Sequence, residues 1–556
     1  MKTCGTLMGD NQVLVLLRVA IAVAFMAGWG PQGRSWADEK RPDYTSRVPK
    51  FTFAGTLPEQ ESQLQTNPLM QRFIESRRKL AADPHRPIYH YVNPEGALND
   101  PNGLCLWKGR WHLFYQAYPP EDTRQHWGHA VSVDLVHWRD LPYAIYPQPE
   151  EMCFSGSTLV EEGRVIAMYH GIKAGNMVAV SRDPLLLNWE KLTGGPVVPG
   201  SADLANPDGS LKPYAVFDPC IWKKDGKYYS LSGRIRPVGP GGKGVATAYL
   251  FRSKDLAHWE YLHSFVENDR FTQIGEDVAV PYFWPIGDRH ILLFASHPSG
   301  GQYLLGDYDT QRDKLAATAH GRFNQGPIGP GGVHAPSATP DGRGGVIVIF
   351  NMNAAKPTAG WDQIMSLPRR LTLMAKDTLA IEPCGDIASL RYGLQHVGAT
   401  KLPANQEIVL QGIRGNALEI VAEIDARHAP MVELNVLRSP NKEEFTRIAF
   451  YRNRGHAGAS LISIDSSYSS LLPDALSRAP ETAEVFIEPD KPLELRVFID
   501  RSVVEVFVNG RQCVAMRVYP GRADSIGVSL RSQGGDAALE SLDAWQMKNI
   551  HIPEVR

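Results

Sequence analysis

From His90 onward the chain is written in short apolar runs cut by turn signals. Five such runs, 111–116, 165–170, 228–232, 290–296 and 346–352, follow reversals at Lys108-Gly109, Glu162-Gly163, Asp225-Gly226, Gly287-Asp288 and Asp341-Gly342. Runs this short beside glycine-bearing turns predict β-hairpins rather than helices. Each turn is preceded by a polar motif: Asn99-Asp100, Phe154-Ser155-Gly156-Ser157, Phe217-Asp218-Pro219, Glu276-Asp277 and His334-Ala335-Pro336. The anchors Asp100, Ser155, Asp218, Asp277 and His334 recur at intervals of 55 to 63 residues. A second echo runs from Ser132-Val133-Asp134 to Trp138, returns two repeat lengths later from Ser253-Lys254-Asp255 to Trp259, and has a degenerate copy from Ser181-Arg182-Asp183 to Trp189. Five units of this length, each with room for four short strands, predict a five-bladed β-propeller. The regular spacing argues against an irregular β-sandwich. Carried on the innermost strand of every blade, the five motifs would converge on one central channel.

Outside the repeats the texture changes. Residues 38–85 form a polar, proline-rich lead-in with one helix predicted over 68–82, from the spacing of Met70, Phe73, Ile74 and Leu80 and the stop at Asp83-Pro84. The propeller is predicted over 86–376 and a connector over 377–394. Over 395–556 strands alternate, clearest at 493–500 and 504–508, with Asn509-Gly510 as a hairpin turn. The fold class is therefore all-β: a five-bladed β-propeller followed by a C-terminal β-sandwich.

Composition adds exclusions and an address. The 556 residues carry 58 Lys+Arg against 60 Asp+Glu, a formal charge of -2, which excludes a polyanion-binding profile and with it nucleic acid as the expected partner. Lys2, the apolar run 13–29 and the small-x-small site Ser35-Trp36-Ala37 read as a secretory signal over 1–37, so export is expected, with no membrane insertion after cleavage. The uncleaved alternative is a membrane anchor near the minimum spanning length of about 17 residues. Cys4 leaves with that signal. The five cysteines left are odd in number and widely spaced, which makes no disulfide framework and no Cys-x-x-Cys metal site. Neither metal nor cofactor is expected, and the oligomeric state is not legible.

The chemistry lies in the carboxylates. In Leu98-Asn99-Asp100-Pro101-Asn102-Gly103 the proline fixes its own φ and Gly103 permits a tight reversal, so Asp100 would be held still in a turn. Asp100, Asp218 and the Glu276-Asp277 pair facing one channel suit glycoside hydrolysis, which needs one carboxylate and one proton donor across an oxocarbenium-like transition state. Trp127, Trp107 and Phe154 would wall a sugar ring; Asn99, Gln116 and Ser155 would bind its hydroxyls. Two patterns are decoys. Gly239-Pro240-Gly241-Gly242-Lys243-Gly244 lacks the strand-to-helix context of a dinucleotide site, and His126 with His129 has no third ligand.

The stretch 98–103, His112-Leu113-Phe114-Tyr115-Gln116, Trp127-Gly128-His129-Ala130-Val131-Ser132, Phe154-Ser155-Gly156-Ser157 and the segment 500–510 together resemble glycoside hydrolase family 32, the invertases, inulinases and levanases. The resemblance runs from about His90 to near the C-terminus. It implies the same propeller and sandwich, a sucrose or fructan substrate, and a retaining mechanism with Asp100 as nucleophile. The family's transition-state stabiliser sits in Arg-Asp-Pro. Arg182-Asp183-Pro184 matches literally but belongs to the outer echo, whereas Asp218 holds the repeat position, with Phe217 replacing the arginine. The family's acid/base lies in Glu-Cys-Pro; here Val278-Ala279-Val280-Pro281 puts Ala279 at that glutamate. Strand alternation favours Asp277 as the substitute, residue type and reach favour Glu276, and Glu276 is placed slightly ahead. Whichever acts is expected to have a raised pKa. A weak or inactive fructan-binding protein and a fructosyltransferase are the alternatives.

Overall fold

Asp225-Gly226 shows how a blade is started. Both residues have positive φ (50° and 72°), the hairpin geometry whose twist matches its flanking strands, here Pro219–Lys224 and Lys227–Arg236. The computed structural model describes residues 42–200, 213–236 and 240–551. The expected signal segment, 1–37, lies outside them.

Five sheets follow one another along the chain, antiparallel throughout except where the edge strand Val266–Glu267 joins the fourth in parallel. The first holds Leu98–Trp107, Arg110–Ala117, His126–Ser132 and Arg139–Ile145, and the second Cys153–Glu161, Arg164–Gly171, Gly175–Ser181 and Glu190–Lys191. The third adds Val245–Ser253 and Trp259–Ser264 to the hairpin above. The fourth holds Ala279–Ile286, Arg289–Ser296, Gly300–Asp309 and Lys314–Arg322, the fifth Val333–Pro340, Val346–Met352, Arg369–Ala375 and Thr378–Pro383. The expected connector, 377–394, is thus replaced by the outer strand of the fifth blade, a short turn at Ile387–Leu390 and the start of the first sandwich strand, Arg391–Val397. Leu379 and Ile381 are buried, which holds this segment in the sheet.

The first strand of each blade lines the axis, and these inner strands are tied to one another. The Tyr282 hydroxyl accepts from Gly103 N (3.0 Å) and donates to Gly156 O (2.9 Å), Thr158 Oγ1 donates to Gly103 O (2.9 Å), and Ile221 N donates to Ser157 Oγ (2.9 Å). Gly156 is required here: a Cβ would lie 2.1 Å from Met168 O on the next strand.

The Ser-x-Asp echo links the third and fourth strands. Asp134 accepts from Ser132 Oγ (2.9 Å), Val136 N (3.0 Å) and His137 N (2.8 Å), and Asp255 repeats the set with Ser253, Ala257 and His258. Asp183 makes the same turn, accepting from Ser181 Oγ, Leu187 N and Asn188 N.

The lead-in is structured where described. Helix Pro68–Leu80 begins at Asn67, whose Oδ1 caps Leu69 N and Met70 N, and packs Phe73 edge-on against Tyr143 of the first blade. A second helix, Leu57–Thr66, precedes it; Thr56, Pro58 and Glu59 mark its start, and Gln60 Nε2 ties it to the propeller by donating to Asp183 Oδ1 (2.8 Å). Beyond the blades, two antiparallel sheets form the sandwich around an aliphatic core including Ile420, Leu434, Val497 and Leu530. A separate cluster joins the two halves, with Val136 and Phe350 of the propeller packed with Phe498 and Phe507 of the sandwich. The five cysteines in the described residues are all unpaired.

Candidate active site

Asp100 lies in the first inner strand, not in a free turn. That strand is bulged twice, between Leu98 and Pro101 and again between Asn102 and Cys105, and Gly103 takes φ +52°. The bulges re-aim the carboxylate while the sheet holds its backbone. Ser155 Oγ of the second blade donates to Asp100 Oδ2 (2.6 Å), and Gln116 Nε2 donates to the same oxygen (3.3 Å) and to Ser155 Oγ (2.7 Å). Gln125 in turn donates to Gln116 Oε1 (2.9 Å). Oδ1 of Asp100 is buried without a partner, with His334 Nδ1 at 3.6 Å. One oxygen is fixed by two donors and the other accepts none.

Asp218 immediately precedes the third inner strand. Its Oδ2 accepts from Val280 N (3.1 Å), and Oδ1 is buried and unpartnered. Burial, then the neighbouring Asp100 charge, push its carboxyl up to about 8. Asp183, the literal Arg-Asp-Pro aspartate, is fully engaged in its turn and in the Gln60 contact.

In the fourth blade the two acidic candidates part. Glu276 accepts from Ser299 Oγ (2.5 Å), Arg322 Nη2 (3.0 Å) and Gln273 N (2.7 Å), so its carboxylate is consumed by rim contacts. Asp277 accepts from His297 N (2.9 Å) and His297 Nδ1 (2.7 Å), and His297 feels the charges of Asp100 and Asp218. Of the two, it is Asp277 and not Glu276 that is coupled through His297 to the two other aspartates. The expected raised pKa is reversed, because the His297 bond holds the Asp277 carboxyl below its usual range.

An aromatic cluster adjoins the carboxylates. Phe154, His170 and Phe217 contact one another, with ring centroids 4.6 Å apart for His170 and Phe217 and 6.3 Å for Phe154 and Phe217. Arg234 stands over Phe217 at 4.7 Å, returning a guanidinium to the neighbourhood where Phe217 removed one. Trp127 is corrected: it is fully buried among Phe114 and Tyr169, its indole N–H donating to Phe154 O (2.8 Å), so it supports the wall from behind. Trp107 likewise packs inside, donating to Asp183 O. Asn99 Oδ1 accepts from Asn351 Nδ2 (3.2 Å).

Gln116, His170, Arg234, His297 and Asn351 share one position: each ends, or just follows, the second strand of its blade. Of these only Gln116 is a sequence candidate. The available signal was the polar residue terminating each apolar run. His126 and His129 are structural, bonded to Ser46 and His112, and no group of three metal-ligating side chains occurs among the described residues.

A propeller whose inner strands deliver three aspartates to one mouth defines a carboxylate-based glycosidase site. The sequence profile of the glycosyl hydrolases family 32 N-terminal domain matches residues 90–383, and that of the family's C-terminal domain matches 386–546. The chain belongs to glycosyl hydrolase family 32. It is 28% identical over 521 residues to a levanase of Bacillus subtilis (84% of this chain, 71% of the relative), and 28% over 557 residues to a fructan 6-exohydrolase of Beta vulgaris (84% and 88%). The fold matches that of fructan 1-exohydrolase IIa from Cichorium intybus with a TM-score of 0.73 at 22% identity, covering 84% of this chain and 98% of that one. Exo-inulinase from Aspergillus awamori matches with a TM-score of 0.67 at 20% identity (84% and 99%).

Proposed function

We propose that this protein hydrolyses β-fructofuranosidic bonds of sucrose or a fructan by retaining double displacement. The observation that carries the reading is Asp100, held through one oxygen by Ser155 and Gln116 with the other free at the mouth of the propeller. In the first step that oxygen attacks the anomeric C2 of a fructosyl unit as the glycosidic bond breaks. In the second, water attacks C2 and restores the Asp100 carboxylate. Asp218, beside Asp100, is the transition-state stabiliser of this reading; because burial and the Asp100 charge push its carboxyl up to about 8, it stabilises the developing positive charge only when it has lost its proton. Phe154 and Phe217 face the apolar side of the furanose ring; Asn99 and Arg234 offer hydrogen bonds at its edge. The levanase and fructan exohydrolase relatives support a fructan, and the N-terminal pattern supports export of a chain cleaved after Ala37.

The test is fructose release from sucrose, inulin and levan by the purified chain and by Asp100→Asn, with products resolved by chromatography. Release by the wild type and none by Asp100→Asn supports the reading; equal release by both overturns it. Ala279 at the family glutamate favours the second reading, a fructan-binding protein without turnover, which binding without release would establish. The mature N-terminus, read by mass spectrometry, tests export: a start at Asp38 supports it, and an intact 1–37 overturns it.

A further inference from the structure

With Glu276 held by Ser299, Arg322 and Gln273 N, and Asp277 held by His297, another group must protonate the leaving oxygen. The inference rests on the fructosidase reading above. We propose that His297, clamped by Asp277, is the proton donor and acceptor of this site, so that a carboxylate–imidazole pair does the work of the missing glutamate.

The geometry selects His297 by what each neighbour has already spent. Glu276 has given both oxygens to Ser299, Arg322 and Gln273 N. Asp277 has given both to His297, through the backbone N–H and through Nδ1–H. Because Nδ1 is committed to Asp277, the nitrogen left for a substrate is Nε2, on a side chain that is 49% exposed. The charged groups acting on that ring are Asp277, Asp100 and Asp218, and the ring of His334 packs against it at 5.9 Å. His334 does not compete, since burial lowers its pKa and leaves it neutral.

The electrostatics suit the role. The hydrogen bond that His297 donates to Asp277, then the charges of Asp277, Asp100 and Asp218, raise His297 to about 9 against the cost of burial, so it carries a proton at neutral pH. Its pKa then depends on the reaction coordinate. When Asp100 Oδ1 bonds to C2, the C2–O bond breaks, its electron pair goes to the leaving oxygen, and Nε2–H gives its proton to that oxygen. The esterified Asp100 is now neutral, one of the charges that held the proton is gone, and the His297 pKa falls as the proton leaves. Neutral Nε2 then takes a proton from the water whose oxygen attacks C2, which restores the imidazolium, while the C2–Asp100 bond breaks and the returning Asp100 carboxylate stabilises that charge again. Asp277 is a positioning residue in this scheme: it fixes the tautomer and the ring orientation.

Steady-state kinetics on sucrose and on a nitrophenyl β-fructofuranoside, whose leaving group needs no proton, test the assignment. His297→Gln is expected to lower kcat on sucrose about 100- to 10,000-fold, to lose far less on the aryl substrate, and to lose the alkaline limb of kcat/KM. Asp277→Asn is expected to move that limb to lower pH. Glu276→Gln is expected to keep the wild-type ratio of sucrose to aryl turnover. Equal losses on both substrates in His297→Gln, an unmoved alkaline limb, or loss of the ratio in Glu276→Gln instead would overturn the proposal. If His297→Gln melts early, His297→Asn with a matched melting curve serves in its place. Asp100→Asn separates the two failures. Should it be inactive while His297→Gln keeps full sucrose turnover, only this assignment falls; should it retain wild-type turnover, the fructosidase reading falls and this one with it.

Discussion

Among the described residues, one acid–histidine cluster at the interface between propeller and sandwich and another at the channel mouth have their carboxylates partnered to different degrees. At the interface between propeller and sandwich, Asp500 accepts from Ile88 N, Tyr89 N and His90 N (2.8 Å each), and His90 donates from Nδ1 to Asp500 (3.0 Å) and from Nε2 to Glu505 (3.1 Å). Glu505 also accepts from Leu367 N (2.7 Å) and Arg369 Nη2 (2.8 Å). The carboxylates there are fully partnered. At the channel mouth Asp100 Oδ1, Asp218 Oδ1 and both ring nitrogens of His334 have no partner. The interface carboxylates have all their partners, though Arg369 Nε and Nη1 beside them do not, whereas at the mouth the unpaired atoms include carboxylate oxygens themselves.

The largest effects should separate the clusters cleanly. Asp100→Asn is expected to lower turnover by about 10,000-fold or more with the melting curve unchanged. Glu505→Ala is expected to do the reverse. It strands Arg369 and His90 and should cost about 3–5 kcal/mol in denaturant unfolding, while the fraction that remains folded turns over normally.

A pH series sharpens the contrast. His90 is raised to about 9 by its bonds to Asp500 and Glu505 despite complete burial, and Glu505 is lowered to about 2 by Arg369 and His90. The stability from protonated His90 is whole below its unfolded value near 6.5 and is lost as pH rises through about 9. The stability from Glu505 is whole above its unfolded value near 4.3 and is lost as pH falls through about 2. Unfolding midpoints of His90→Gln should therefore decline less than wild type between pH 6.5 and 9; parallel declines would show that the interface does not supply this dependence.

Smaller effects lie within the site and its decoy. Ser155→Ala removes the 2.6 Å donor to Asp100 and should lower kcat/KM about 10-fold. Asp183→Ala should lose about 1–3 kcal/mol of stability by releasing the turn it caps, with turnover per folded molecule unchanged. If Asp183→Ala instead lost turnover selectively, the choice of Asp218 over the Arg-Asp-Pro aspartate would have to be revisited.

The sequence alone determined the things that repeat or that depend on local backbone chemistry. The 55 to 63 residue interval gave the number of blades, because each blade needs its own hairpin turns and its own apolar strands. Helix Pro68–Leu80 was legible from its apolar spacing and its stop, and Asp100 from a motif whose proline and glycine shape the strand around it. The tertiary structure alone decided which atoms face one another. Glu276 and Asp277 are adjacent, and only the contacts of Arg322 and Ser299 on one and His297 on the other tell them apart. Trp127 read as a wall because side-chain type does not reveal which face of a strand is covered. Arg234 and His297 had no motif of their own, since each reaches the mouth by its place at the end of a second strand. Positions of that kind come from register between strands, which non-local hydrogen bonding fixes and no short stretch of sequence records.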